Sequence, residues 1–177
     1  MKPVEHRLLL MRHAEACPAA AGDCSREGDL ARPLSDYGLM TARRRGEQLR
    51  SERISPDLVL CSPAMRARQT YASLLPFARK DAEIRIEPTL YMADVPELLA
   101  RLRVSPDKAH TVLVVGHNPG ISSLARLLNG VESSLNSEFP PAALATFRVE
   151  REDFASVALT WKGLGPRTAW LQSFSQM

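Results

Sequence analysis

Leu8-Leu9-Leu10-Met11-Arg12-His13-Ala14-Glu15-Ala16 is the stretch whose reading decides the fold. Its unbroken apolar run predicts a strand buried on both faces, as in a parallel sheet covered by helices. The run ends in an arginine–histidine pair followed by a carboxylate. In open α/β sheets, ligands bind outside the carboxyl ends of the strands. A second run, Val112-Leu113-Val114-Val115, ends in the same manner, in Gly116-His117-Asn118-Pro119-Gly120.

Outward from these two strands the pattern alternates. Arg7 to Met11 reads as the first central strand. Cys17 to Arg32 reads as a long polar connection, and a helix follows from the caps Ser35 or Asp36 to about Arg53. Leu58 to Cys61 is a short buried strand, and Ser62-Pro63 opens a helix from Ala64 to about Leu75. Ile84 and Ile86 mark a more exposed strand, Val95-Pro96 starts a helix, and Thr111 to Val115 forms the fourth strand. A helix after Pro119-Gly120 comes next. Ala145 to Val149 and Ser156 to Trp161 read as a terminal antiparallel pair turning at Glu152-Asp153. This order predicts an α/β class chain, a three-layer α/β/α sandwich with a mostly parallel central sheet. With 177 residues and no linker or repeat, one domain over 1–177 is expected.

Composition narrows the function classes. The 45% hydrophobic and 24% charged content is that of an ordinary globular protein, and the net charge of +3 is mild. Arg43-Arg44-Arg45 lies in a helical pattern and reads as a solvated face, so no nucleic-acid partner is expected. No apolar stretch approaches the ~20 residues that span a bilayer, so no membrane partner is expected either. Cys17, Cys24 and Cys61 form neither a disulfide framework nor a zinc-site spacing; with no signal segment, they point to the cytoplasm. The four histidines show no paired ligand spacing, and neither a phosphate-binding Gly-Lys-Ser/Thr loop nor a dinucleotide glycine fingerprint occurs. No metal and no cofactor are expected.

Arg12, His13, Arg66 and His117 all lie at, or just after, the ends of predicted strands. Brought together they suit a phosphoryl group, which calls for forked guanidinium donors and helix N-termini. One imidazole would attack phosphorus in its neutral form, and the adjacent arginines favour that form. The other would donate to the phosphoryl oxygens. A strand-end histidine taken alone reads more often as a structural residue, two such ends in anion-friendly surroundings bring the two readings level, and Arg66 alone reads as an ordinary helix start. Glu15 reads as a helix cap or as a residue that orients an arginine. The residues themselves thus describe a phosphate-handling α/β enzyme.

The chain resembles the histidine phosphatase superfamily, with its phosphoglycerate mutase-like fold, at four motifs in family order. These are Leu10-Met11-Arg12-His13-Ala14-Glu15-Ala16, Arg32-Pro33-Leu34-Ser35-Asp36-Tyr37-Gly38, Cys61-Ser62-Pro63-Ala64-Met65-Arg66-Ala67-Arg68-Gln69-Thr70, and Val114-Val115-Gly116-His117-Asn118-Pro119-Gly120. The compact length and the Leu90-Tyr91 segment look most like the SixA-type phosphohistidine phosphatases. The resemblance implies His13 as nucleophile, passing through a covalent phosphohistidine. It implies Arg12, Arg66 and His117 as the rest of the pocket, with Arg32 at its mouth and Asn118 presented to it; Arg32, Asn118 and Glu15 are the substrate-binding candidates. The larger members' general-acid glutamate has no counterpart in Glu87-Pro88-Thr89-Leu90-Tyr91-Met92-Ala93-Asp94 at the matching position; Glu15, Glu87 and Asp94 are the candidates. A weak acid function favours a phosphoramidate, whose ring can be protonated from solvent before it leaves. The expected partner is therefore a protein carrying phosphohistidine, with a small phosphomonoester as the alternative substrate. A non-catalytic phosphate-binding protein is a third reading, opposed by the presence of both histidines and both arginines. A monomer is expected.

Overall fold

A computed structural model describes residues 5–77, 81–130, 135, 138–149 and 160–177. The continuous apolar runs form strands because helices cover both of their faces. The first strand, β1 (His6–Arg12), buries Leu8 and Leu10 on one side and Leu9 and Met11 on the other, as a period of two requires. Strands β2 (Leu58–Cys61) and β4 (Thr111–Gly116) divide in the same way: Leu58, Leu60, Val112 and Val114 face one core, and Val59, Cys61, Leu113 and Val115 the other.

Helices α2 (Asp36–Ser51) and α3 (Met65–Leu74) close the second of these cores through Ala42, Leu49, Ala67, Tyr71 and Leu74. Helices α4 (Val95–Arg103) and α5 (Gly120–Asn129) close the first through Leu98, Leu102, Ile121, Leu124 and Leu128. The result is the expected α/β/α sandwich. The remaining elements are α1 (Arg26–Ala31) and the strands β3 (Glu83–Ile86), β5 (Leu144–Val149) and β6 (Ala169–Ser175).

The six strands run in the order β3-β2-β4-β1-β5-β6. Pairs β3/β2, β2/β4 and β4/β1 are parallel, while β1/β5 and β5/β6 are antiparallel, so the sheet is mostly parallel. The chain passes β2 and β3 on the α2/α3 side and returns through α4 to insert β4 between β2 and β1. Register then aligns three carboxyl ends, with Arg12 opposite Gly116 and Cys61 opposite Val115. The ladder continues one residue further, from His13 N–H to the Gly116 carbonyl and from Ser62 N–H to the Val115 carbonyl, both at 3.0 Å.

The expectations need three corrections. The strand beside β5 is β6. Of the segment expected there, 156–159 lie outside the described residues, as does the Glu152-Asp153 turn, and Trp161 sits in a 3₁₀ turn with its ring buried. In β6, Leu171 and Phe174 pack on the same core although they are three residues apart, because the register shifts between Thr146 and Phe147. That irregularity breaks the alternation by which a strand is read. The polar connection after Cys17 also contains a helical turn, α1, capped by Ser25, whose Oγ accepts from Gly28 N–H at 2.9 Å. Lastly, Arg43 and Arg44 are solvated but Arg45 is wholly buried. Its Nε and Nη2 donate to the Ala142 carbonyl at 3.1 and 2.7 Å, and Nη2 also reaches the Ser175 carbonyl, so α2 is fastened to β6.

Candidate active site

The aligned carboxyl ends of β1, β2 and β4 bring His13, Ser62 and His117 side by side. The rings of His13 and His117 have centroids 5.0 Å apart, and both are almost fully buried. His13 Nδ1 lies 2.7 Å from the Ala14 carbonyl, which can only accept, so the ring proton sits on Nδ1. Nε2 therefore carries the lone pair, and it accepts from Arg66 Nε–H at 3.3 Å. Ser62 Oγ, also buried, contacts His117 Nε2 at 2.7 Å and fixes the ring so that Nδ1 faces Arg66 Nη2 at 3.5 Å.

Arg66 reaches this spot because α3 begins immediately after β2. The N-termini of α3 and α5 both open at the pocket, and neither has a side-chain cap; α2 and α4, by contrast, are capped by Ser35 and Asp94. The first-turn N–H groups at the pocket add to its positive potential. Arg12 closes the other flank. Its Nη1 donates to the Phe139 carbonyl at 2.7 Å, while its buried Nε–H has no acceptor among the described residues. Asn118 Nδ2 donates to the same carbonyl at 2.8 Å.

Burial lowers the pKa of His13 to about 4, with help from Arg66, Arg12 and Arg32 and against the Ala14 hydrogen bond. Burial, His13 and Arg66 lower His117 to about 3, against the pull of Asp29. Both rings are thus neutral at physiological pH. Cys61, by contrast, is no nucleophile at that pH, because burial pushes its thiol up to about 12.

The structure brings Arg12, His13, Arg66 and His117 together, with Asn118 behind Arg12. Arg32 stands at the mouth: its Nε donates to the Cys17 carbonyl at 2.9 Å and its Nη1 to Asp29 Oδ1 at 2.8 Å. Glu15 lies apart, held by Ser35 Oγ at 2.7 Å beside the start of α2. There Gly38 lets the helix approach, since a Cβ at that position would stand 2.0 Å from the Glu15 carbonyl oxygen.

Sequence reasoning missed Asp29 and Tyr91. Asp29 Oδ2 accepts from Arg66 Nη2 at 2.8 Å and from Tyr91 Oη–H at 2.7 Å, and the Asp29 carbonyl accepts from Arg66 Nη1 at 2.6 Å. The ring of Tyr91 also meets His117 edge-on at 5.7 Å. The available signal was the spacing of Asp29 and Arg32, an i, i+3 ion pair between α1 and the residue that ends it, which places a carboxylate wherever Arg32 goes. Among the described residues, no cluster of three or more His, Cys, Asp or Glu side chains is placed to hold a metal ion.

The family model for the histidine phosphatase superfamily, branch 1, matches residues 8–98. The chain belongs to that superfamily. The match includes the carboxyl end of β1, where Arg12 and His13 follow one another, and the helix that carries Arg66. Among its relatives, the uncharacterized protein Rv1276c of Mycobacterium tuberculosis is 34% identical over 147 residues, covering 78% of this chain and 87% of that one. The candidate phosphohistidine phosphatase SixA of Nakamurella multipartitia superposes with a TM-score of 0.78 at 30% identity, covering 99% and 98% of the two chains. The corresponding SixA candidate of Agrobacterium tumefaciens gives 0.77 at 25% identity, covering 97% and 99%. This histidine phosphatase is accordingly a hydrolase of the SixA-like type, with the phosphoglycerate mutase-like fold.

Proposed function

We propose that this histidine phosphatase removes the phosphoryl group from phosphohistidine in a partner protein. One observation carries the chemistry: the Nδ1–H···O=C bond to Ala14 leaves Nε2 of a neutral His13 as an unprotonated nitrogen beside the Arg66 guanidinium. The phosphoryl group enters between His13 and His117. The bond from phosphorus to His13 Nε2 forms as the bond to the substrate nitrogen breaks, and the leaving imidazole takes up a proton. Arg66, Arg12 and the two helix N-termini bear the charge on the phosphoryl oxygens, and His117 joins them in the tautomer that accepts from Ser62 Oγ–H at Nε2 and carries its proton on Nδ1. Water then attacks phosphorus, the bond to Nε2 breaks, and inorganic phosphate is released. His13, Arg12, Arg66 and His117 perform the reaction; Arg32 and Asn118 shape its surroundings, and Glu15 anchors α2.

The reaction as drawn needs no metal ion, since cationic side chains supply the charge. Three free cysteines fit a cytoplasmic enzyme, and no described helix is long and apolar enough to cross a membrane. One domain acting as a monomer suffices, because every group named comes from a single chain. The second reading, a phosphatase of small phosphomonoesters, gains from Asp29, a carboxylate at the pocket that could protonate an alkoxide.

The test is a phosphohistidine peptide offered to wild-type protein and to His13→Ala. Release of phosphate by the wild type alone, with acid-labile phosphate trapped on His13 after rapid quenching, is the expected result. A markedly higher kcat/KM on phosphorylated metabolites would favour the second reading. Phosphate trapped on serine or cysteine would refute the role of His13.

A further inference from the structure

We propose that Asp29 is the acid–base residue of this site, giving a proton to the leaving group and then taking one from the attacking water. The proposal rests on the phosphoryl transfer to His13 set out above, and adds the group that manages its protons.

The placement of Asp29 argues for this role. Arg66 spends all three of its nitrogens on the resting site: Nε on His13 Nε2, Nη1 on the Asp29 carbonyl and Nη2 on the Asp29 carboxylate. A carboxylate therefore sits one guanidinium away from the nucleophilic nitrogen, on the anion-binding edge that a phosphoryl group needs. It is also held independently of Arg66, by Arg32 Nη1 on Oδ1 and by the Tyr91 hydroxyl on Oδ2. When phosphoryl oxygens claim Arg66, these two arms keep the carboxylate at the pocket rather than releasing it to solvent.

The other candidate carboxylates are engaged elsewhere. Glu15 is bound to Ser35. The Glu87 carboxylate lies 3.7 Å from Arg101 on α4. Asp94 and Glu97 close the capping box of α4.

Electrostatics supply the proton. Burial pushes the Asp29 carboxyl up, but hydrogen bonds from Tyr91, Arg66 and Arg32 outweigh it and hold the resting group ionised. An arriving phosphoryl anion withdraws Arg66 and places negative charge alongside, and both changes raise proton affinity. Asp29 then takes the proton brought by a phosphate monoanion. In the first step the P–N or P–O bond to the leaving group breaks, the P–Nε2 bond forms, and the Asp29 proton goes to the departing atom. In the second, a water oxygen bonds to phosphorus, the electron pair of the P–Nε2 bond returns to His13, and the water's proton goes to Asp29.

The test compares phenyl phosphate with 4-nitrophenyl phosphate, whose leaving group departs without a proton. Asp29→Asn should lower kcat/KM for phenyl phosphate about 10²–10³-fold, and that for 4-nitrophenyl phosphate by about tenfold or less. Asp29→Glu should recover part of the loss on phenyl phosphate. Phosphorylated His13 should accumulate in the Asn variant after quenching. Equal losses on both esters, with an unaltered pH profile, would reduce Asp29 to a structural partner of Arg66 and overturn the proposal, as would an absence of loss. Tyr91→Phe, which removes one arm but no charge, should shift the pH profile while leaving the protein folded; an unshifted profile counts against the role. A wild type that ignores phosphohistidine peptide yet shows this leaving-group dependence would sink the substrate assignment and leave Asp29 standing.

Discussion

Arg66 Nε donates to His13 Nε2 across 3.3 Å, so the cation that receives the phosphoryl group also aims the nitrogen that attacks it. A lysine keeps the charge but not the planar fork. Arg66→Lys should therefore lower kcat/KM about 10²–10³-fold. It should weaken inhibition by orthovanadate in parallel, measured as the inhibition constant with 4-nitrophenyl phosphate. Unchanged vanadate affinity would show that the fork does not hold the anion.

The two buried rings set a pH dependence. Their folded-state pKa values, about 4 for His13 and about 3 for His117, lie below the ~6.5 of an unfolded histidine. Between these values the unfolded chain binds more protons, so stability is at its full value above about pH 6.5 and falls as the pH drops toward 4. At pH 5 the loss is on the order of 2 kcal/mol per histidine. Urea unfolding at pH 7 and pH 5 measures it, and a double replacement by glutamine should flatten the difference. In the free enzyme the titration of His13 should appear near pH 4 by NMR of labelled imidazole, not near 6.5.

Ser62→Ala removes the partner of His117 Nε2 in a fully buried setting. An unsatisfied buried nitrogen costs about 1–3 kcal/mol, to be read from the denaturation midpoint. Because the ring that faces the phosphoryl group loses its fixed orientation, kcat should fall more than KM rises.

Gly38→Ala should destabilise the fold without touching the pocket. The new methyl would press on the Glu15 carbonyl, and the cost expected of such overpacking is about 1–3 kcal/mol, seen as a lower Tm. A variant as stable as the wild type would show that α2 can shift away from β1 without penalty.

The parts of this architecture that were legible in the sequence are those governed by local rules. β1, β2 and β4 announced themselves because burial on both faces demands continuous apolar residues. His13, Arg66 and His117 were legible because each follows such a strand within a few residues. α1 was not, being six residues long with no buried side chain and hence no apolar stripe to detect. β6 was hidden by its register shift. Asp29 escaped because its meaning lies in contacts 37 residues away with Arg66 and 62 residues away with Tyr91, which no periodicity encodes. Arg45 misled for a related reason: a guanidinium among two solvated neighbours turns inward only because two main-chain carbonyls await it there.

The Phe139 carbonyl accepts from both Arg12, at the end of β1, and Asn118, just beyond β4. A single peptide oxygen is thus the common latch for two walls of the pocket that the sheet brings there separately. Tilting that one peptide plane would loosen the cation and the amide in concert. The peptide between Phe139 and Pro140 is therefore a place where a change outside the two histidines would detune the whole cradle at once, rather than one contact at a time.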